Sequence, residues 1–375
     1  MIATIAFKNL VHEPARFLAT AAGIGLSLVL VTVQLGLLFG FDRTISAIID
    51  NAKADLWIVP KGTAAFDDPS FLETNQKYAA AVVPGVRRIK PLVVGFAEWR
   101  KPAGGSTSVI IIGSDPRHAT VDPWNVSSGQ LHDLRAPDAV AIDVSYAPQL
   151  GVGKRGDIAN VEGLHARVAL TTNGIRSFTT SPYVFTALSQ ARAFLNADPS
   201  RSSYLAVELA QGADAQRVRE RLAGKLPTVE VLTPAEFRAR NVERWLLDTG
   251  AGIALLTGTA IAVLVGAVIM TQSLYTTVND YRREFATFRA MGSSKGFLTS
   301  VVACQAGICT LAGFALALLG NLAVMAISAA WSLPIEISPT LILTLCGLAA
   351  LMSVAATFAA AAKVARVDPA SVFAQ

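Results

Sequence analysis

The chain has 375 residues, of which 52% are hydrophobic and only 16% charged, with a net charge of +5. Charged residues make up about 25% of an ordinary soluble domain, so the composition argues against a plain soluble protein. The positive charge forms no basic stripe with interleaved aromatics, which argues against a nucleic-acid partner.

Residues 1–16 are expected to form a short helix on the inner membrane surface, with Ile2, Ile5 and Leu10 on one face and a bend at Pro14. No charge lies between Arg16 and Asp42. The apolar run 17–41 makes about 37 Å of helix, enough to cross a hydrocarbon core of about 30 Å. It is too long for the apolar region of a signal peptide. This is the first expected span. Ile45, Ile48 and Ile49 carry the helical spacing beyond it.

Residues 42–248 form a polar stretch long enough for its own core. Strands are expected at 55–59, 108–112, 139–142, 157–161, 165–172, 204–208 and 228–232. Val218 and Leu222, four apart, mark a short helix within 212–224. The class is mixed α+β. All three cysteines (Cys304, Cys309, Cys346) lie in apolar segments, so this domain must be held by its core and not by disulfides. Thr233-Pro234-Ala235-Glu236 is a capping box with proline at the first helical position. The helix it opens is expected to run through Phe237, Val242 and Trp245 straight into the second span. Two readings stay open: a paired helical stalk carrying the domain, or two separate surface helices with flexible joints.

Three further spans follow at 249–279, 297–330 and 338–362, with no charge between Asp248 and Asp280 and only Glu336 between Lys295 and Lys363. Trp331, Pro334 and Pro339 punctuate an outside turn at 331–337. The short basic flanks hold Lys8 and Arg16, then Arg282, Arg283, Arg289 and Lys295 in 280–296, then Lys363 and Arg366 in the tail 363–375. All fall on one side of a four-span arrangement, which makes that side the cytoplasm. Arg16, Tyr281, Arg282 and Lys363 are the expected membrane-interface anchors. The expected fold is therefore a membrane protein of four transmembrane helices, with both termini cytoplasmic. A large mixed α+β extracytoplasmic domain lies between helices 1 and 2.

Chemistry-bearing motifs are sparse. Gly151-Val-Gly-Lys154-Arg155 has Pro148 and Arg155 where a phosphate-cradling loop needs glycine and a hydroxyl residue, so a turn between strands is expected there. His12, His118, His132 and His165 have no metal-ligand spacing, and Asp115 with His118, or His132 with Asp133, lack a nucleophile motif. No acidic or basic residue lies inside a span to relay protons. Gly36/Gly40, Ala19/Gly23, Ala303/Gly307 and Gly313/Ala317 have the small-xxx-small spacing that lets helices approach, within one subunit or between two.

Several stretches resemble the FtsX/MacB-type permeases of ABC transporters. Arg283-Glu-Phe-Ala-Thr-Phe-Arg-Ala-Met-Gly-Ser-Ser294 is similar to that family's R-x-E-[FI]-A-x-x-R-A-x-G-[AS] signature, with Met291 and Phe288 where leucine is usual. Val302-Ala-Cys-Gln305-Ala, Ala365-Arg-Val-Asp-Pro-Ala370, Phe7-Lys-Asn-Leu10 and Leu150-Gly-Val-Gly-Lys-Arg-Gly-Asp157 resemble further family segments. Asp55-Leu-Trp-Ile-Val-Pro-Lys-Gly62 looks closest to the DevC-like permeases.

The resemblance implies the membrane subunit of an ABC transporter in the bacterial inner membrane. That subunit has no catalytic motif and no cofactor of its own, since ATP is bound by a separate cytoplasmic ATPase. It further implies a second copy of the chain and export across the envelope. As in DevC-like systems, a periplasmic adaptor (a membrane fusion protein) and an outer-membrane channel are added. The ATPase-coupling element would be Arg283, Glu284, Phe285, Phe288, Arg289, Met291 and Gly292, a short helix with an exposed aromatic face, ion pairs that set orientation and a glycine cap. The alternative for this helix is an interfacial one, with its phenylalanines in lipid headgroups. Alternatives for the whole chain are a lipoprotein-releasing or FtsX-like regulator of a periplasmic partner and, from another class, a membrane-anchored sensor or hydrolase.

Overall fold

The computed structural model describes residues 2–12, 14–179, 181–280, 287, 293–330 and 335–364. The chain divides into two compact units, Met1–Gly40 with Gly252–Gln375, and Phe41–Ala251. In chain order, α1 (Ile2–His12) precedes α2 (Pro14–Asp50), whose opening proline lacks only an N–H that a first helical turn leaves unpaired. The inserted domain then runs β1 (Leu56–Pro60), α3 (Thr74–Ala81), β2 (Val86–Arg100), β3 (Ser106–Ser114), β4 (Val126–Ser128), β5 (Ala139–Asp143) and α4 (Ala147–Leu150). It continues with β6 (Ile158–Val161), β7 (Leu164–Thr172), β8 (Tyr183–Ala187), α5 (Leu188–Phe194), β9 (Tyr204–Leu209), α6 (Ala215–Lys225), β10 (Val229–Leu232) and α7 (Pro234–Val242). The chain closes with α8 (Ala251–Asp280), α9 (Lys295–Ala330) and α10 (Pro339–Val364).

The inserted domain is built on one ten-stranded mixed sheet in the order β10-β1-β9-β2-β3-β8-β5-β7-β4, with β6 bridging β2 and β7. The strands read from β-branched runs are present: Ser108–Ile112 lies within β3, and the run at 165–172 lies within β7. β2, β4 and β8 are additions to that reading. The 15-residue β2 carries Pro91, which ordinarily demotes a strand. It is tolerated because β2 changes partners there: Val86–Leu92 pairs with β9, and Leu92–Arg100 pairs with β3. At Pro91 only one edge is occupied, so the missing N–H breaks no ladder on the other.

Side chains on the two faces of the sheet bury separate cores. Trp57, Phe66, Tyr204 and Phe237 lie in one, and Trp99, Phe194, Val140 and Val168 in another. Val218 and Leu222 of α6 are buried in a third, as their spacing requires. The Gly151–Arg155 segment is a cap and a turn: Gly151 closes α4, and the N–H groups of Gly153 and Lys154 both donate to Asp157 Oδ2 at 2.9 Å. These bonds, with the Gly153 N–H foremost, hold the Asp157 carboxyl below its usual range.

In the other unit, α2, α8, α9 and α10 are each long and apolar enough to cross a membrane. α2 is the most covered and α8 the least. Gly23 and Gly313 serve packing within this one chain, whereas a methyl group at Gly307 would meet nothing within 4 Å. A methyl group at Gly313 would stand 2.7 Å from Ile24, and one at Gly23 would stand 2.8 Å from Ile269. The spacing read as a helix-approach motif therefore brings α2 against α8 and α9.

Candidate functional site

The chain enters the inserted domain at the end of α2 and leaves it after α7, and these two helix ends are fastened together. Thr233 caps α7 as the sequence suggests: its hydroxyl accepts from Glu236 N–H at 3.2 Å, and its own N–H donates to Glu236 Oε2 at 2.8 Å. The Thr233 N–H is the largest influence holding the Glu236 carboxyl below its usual range. The cap fixes the phase of α7, so that Phe237 and Asn241, one turn apart, both face inward at 0% exposure.

Asn241 is the pin. Its Nδ2 donates to the Ile45 carbonyl of α2 at 2.7 Å, and its Oδ1 accepts from the Phe66 N–H at 2.9 Å. One fully buried amide thus joins α2, α7 and the loop after β1. Phe237 packs beside it, with ring centroids 5.5 Å from Trp57, 5.6 Å from Tyr204 and 6.2 Å from Phe66. Ile48 and Ile49 of α2 are buried in the same cluster. Fully burying a side chain of this size stabilises by about 1.5–3 kcal/mol, so the apolar contacts supply most of the hold and Asn241 supplies its register.

An ionic clamp lies outside the pin. Arg238 donates to Asp42 through Nη2 and sits 3.5 Å from Asp50 through Nε, grasping two positions two turns apart on α2. Burial disfavours the Arg238 charge, yet the hydrogen bond and charge of Asp42 outweigh it and raise the pKa. Asp50 moves the other way from a simple ion pair: burial pushes its carboxyl up despite Arg238. Asp42 is the closer partner. Arg240 adds a link to Glu230 of β10 at 2.7 Å and to the Thr63 carbonyl at 3.3 Å. Phe178 packs between Phe41, edge to face at 4.8 Å between centroids, and Trp245, tilted at 5.1 Å.

The expectation that α7 runs straight into the second span is corrected. Glu243–Asp248 is wound as π-helix, and the Thr249 hydroxyl bonds back to the Trp245 carbonyl. Gly250 then adopts φ +75°, a left-handed conformation open to glycine that ends one helix before α8 begins.

Asp67 lies beneath the same aromatic cluster at 3% exposure. Tyr183 donates to its Oδ1 at 3.3 Å, and its Oδ2 has no partner among the described residues. Burial pushes this carboxyl up to about 6, against the opposing pull of the Tyr183 hydrogen bond.

The coupling residues read from the sequence, Arg283, Glu284, Phe285, Phe288, Arg289, Met291 and Gly292, lie outside the described residues, as do the anchors Tyr281 and Arg282. Arg16 sits in the first turn of α2, where its carbonyl accepts from Thr20 at 2.9 Å. The backbone of Lys363 belongs to the last turn of α10. Gln305 is fully buried in α9, and both its amide atoms lack partners among the described residues. No cluster of metal-ligating side chains occurs among the described residues. Asn241, Arg238 and Asp67 escaped the sequence reading. The one signal in the sequence was Asn241 at four residues from Phe237, a polar side chain on an otherwise buried stripe.

Two family models match the chain. A MacB-like periplasmic core domain covers residues 17–225, and an FtsX-like permease C-terminal domain covers residues 256–369. No curated protein matches it. Among solved structures, the periplasmic region of MacB from Actinobacillus actinomycetemcomitans is similar at 12% identity and a TM-score of 0.39, over 50% of this chain and 92% of that one. The extracellular domain of the noncanonic ABC-type transporter YknZ from Gram-positive bacteria is similar at 13% identity and a TM-score of 0.36, over 48% and 99%. The first family model alone spans more than half of the sequence, and the second covers most of the chain on the C-terminal side of the inserted domain. On that footing the chain belongs to the FtsX/MacB-type ABC transporter permeases, as a multi-pass membrane protein with a MacB-like periplasmic domain between its first two transmembrane helices.

Proposed function

We propose that this permease converts ATP hydrolysis by a separate cytoplasmic ATPase into movement of its periplasmic domain, driving export across the envelope. The observation that carries this reading is the fastened root. Both chain crossings enter the periplasmic domain at helix ends joined by Asn241, Arg238 and Phe237, so a displacement of either end is passed to the sheet without slack. The ATPase would engage Arg283, Glu284, Phe285, Phe288, Arg289, Met291 and Gly292, a role that rests on the family resemblance. Both termini would be cytoplasmic, two copies would form the working unit, and the bacterial inner membrane would be its location. A periplasmic adaptor and an outer-membrane channel complete the proposal if the DevC-like resemblance of residues 55–62 holds. A force-transmitting regulator of a periplasmic partner would use the same root, and the presence of a transported cargo separates the two.

The test is purification of the full chain in mild detergent, with identification of the proteins that accompany it. An ABC ATPase subunit should be recovered, and the chain freed of it should hydrolyse no ATP. Sustained hydrolysis by a preparation proven to lack any ATPase subunit overturns the proposal.

A further inference from the structure

The periplasmic domain carries a cluster of positive charge that the root and the coupling element do not use. A cavity of about 360 Å³ opens between the start of β2, α3, the loop after β3, and α5. Lys77, Arg88, Lys90 and Arg192 line it, together with His118 and a single carboxylate, Asp115. Asp115 is engaged within its own loop, where its Oδ1 accepts from the Arg117 N–H at 2.9 Å and its Oδ2 lies 3.8 Å from His118. Glu208 stands behind the wall, 3.1 Å from Lys90 and 3.9 Å from Arg88. Glu208 is also shared with Arg87 at 3.0 Å, and Asp198 acts on Arg192, so five permanent cations share three carboxylates and the excess is positive.

Two of these cations are held as a binding site would hold them. Lys90 is 8% exposed, and its ammonium is positioned by Glu208 and by the Lys53 carbonyl at 3.4 Å. Arg192 donates through Nη2 to the Arg201 carbonyl at 3.0 Å, while its Nε is buried with no partner among the described residues. Partial burial lowers the Arg192 pKa against the pull of Asp198. A ligand or a bound water would satisfy this donor. The volume lies at the small end of ligand pockets, which run about 300–1,000 Å³.

We propose that this cavity binds a small polyanion, a phosphate- or carboxylate-bearing group held by Arg192, Lys77, Arg88 and Lys90. Arginine supplies directed hydrogen bonds to such a group and the lysines supply point charge. A free periplasmic solute and the phosphorylated headgroup of a lipid present the same chemistry.

The test uses the full chain in nanodiscs of zwitterionic lipid, with pyrophosphate as the soluble probe and hydrogen exchange over residues 86–91 and 188–192 as the readout. Pyrophosphate should protect both segments saturably, and citrate should compete. Protection by anionic lipid in the disc, with none from soluble pyrophosphate, assigns the site to a headgroup instead of a free solute. Arg192→Gln and Lys77→Gln should each weaken binding about tenfold, the usual effect of losing one charge-assisted bond. Arg219→Gln, outside the cavity, should leave it unchanged. Lys77 lies on the surface of α3, so its variant keeps the test valid if Arg192→Gln melts early. Absence of saturable protection with either source, or equal binding by wild type and Lys77→Gln, overturns the proposal.

Discussion

Replacing Asn241 with leucine isolates the pin at the root of the periplasmic domain. Leucine matches asparagine in size and keeps the helix, but it removes the acceptor for the Phe66 N–H and the donor to the Ile45 carbonyl. The two losses are unequal. The Ile45 carbonyl lies within α2 and retains its helical partner, so that bond is worth about 1 kcal/mol. The Phe66 N–H is left buried and unpaired, at about 1–3 kcal/mol. The sum, about 2–4 kcal/mol, should lower the melting temperature of the domain by about 4–16 °C, at 2–4 °C per kcal/mol for a domain of this size. Thermal unfolding of the full chain in detergent, followed by tryptophan fluorescence, measures it. ATPase binding should be unaffected, and transport should fall relative to hydrolysis because the root slips. A variant that melts within a degree or two of wild type and stays fully coupled would show that Asn241 sets neither the register nor the hold.

Other expectations rest on the same geometry. Asp67 has its folded pKa raised from 3.8 to about 6. Between these values the folded chain keeps a proton that the unfolded chain has lost, so stability falls as pH rises through this window and is flat above it. The charge then costs about 3 kcal/mol at neutral pH, and Asp67→Asn should melt higher than wild type at pH 7.5 and equally at pH 4. A wild-type melting temperature that rises through this window without Asp67→Asn departing from it refutes the assignment. Phe285→Ala with Phe288→Ala should strip the ATPase from the purified complex at normal permease yield, since two aromatic anchors are worth about 2–4 kcal/mol each; retention of a full complement rules this helix out as the coupling element. A cysteine at Ser127 should be labelled from outside intact cells, and one at Ser294 only after permeabilisation, and the reverse pattern overturns the orientation.

The parts of the fold visible in the sequence are those where one physical signal dominates. Four uncharged runs mark the four membrane helices because a charge in a span is so costly. β3, β5 and β7 are visible because their β-branched runs are buried almost throughout. β2 is not, because Arg87, Arg88, Lys90 and Pro91 break its pattern, and the buried Lys90 and the proline are accommodated by features from elsewhere in the fold. Glu208 pairs with the three cations, and the change of strand partner frees the Pro91 edge. β8 and α5 stayed hidden for a similar reason: a five-residue strand beside a seven-residue helix gives too short a run for periodicity. The stalk was half visible. Ile45, Ile48 and Ile49 and the Thr233 capping box foretold two helix ends, but the π-helical turn and the break at Gly250 depend on backbone geometry that composition does not encode. Asn241 and Arg238 read as ordinary helix polar residues until α2 is laid beside them.

Movement of the periplasmic domains under ATP turnover tests the central claim most directly. Gln211 is exposed on this domain, so Gln211→Cys, in a chain with Cys304, Cys309 and Cys346 changed to alanine, accepts one spin label per copy. Distances between labels in paired copies are then measured by pulsed electron resonance in nanodiscs with the partner ATPase. The account predicts that ATP with vanadate shifts the distance distribution. It also predicts no shift when the ATPase is omitted or when Phe285 and Phe288 are both alanine. An unchanged distribution while the complex hydrolyses ATP, or the same shift without the ATPase, would contradict it.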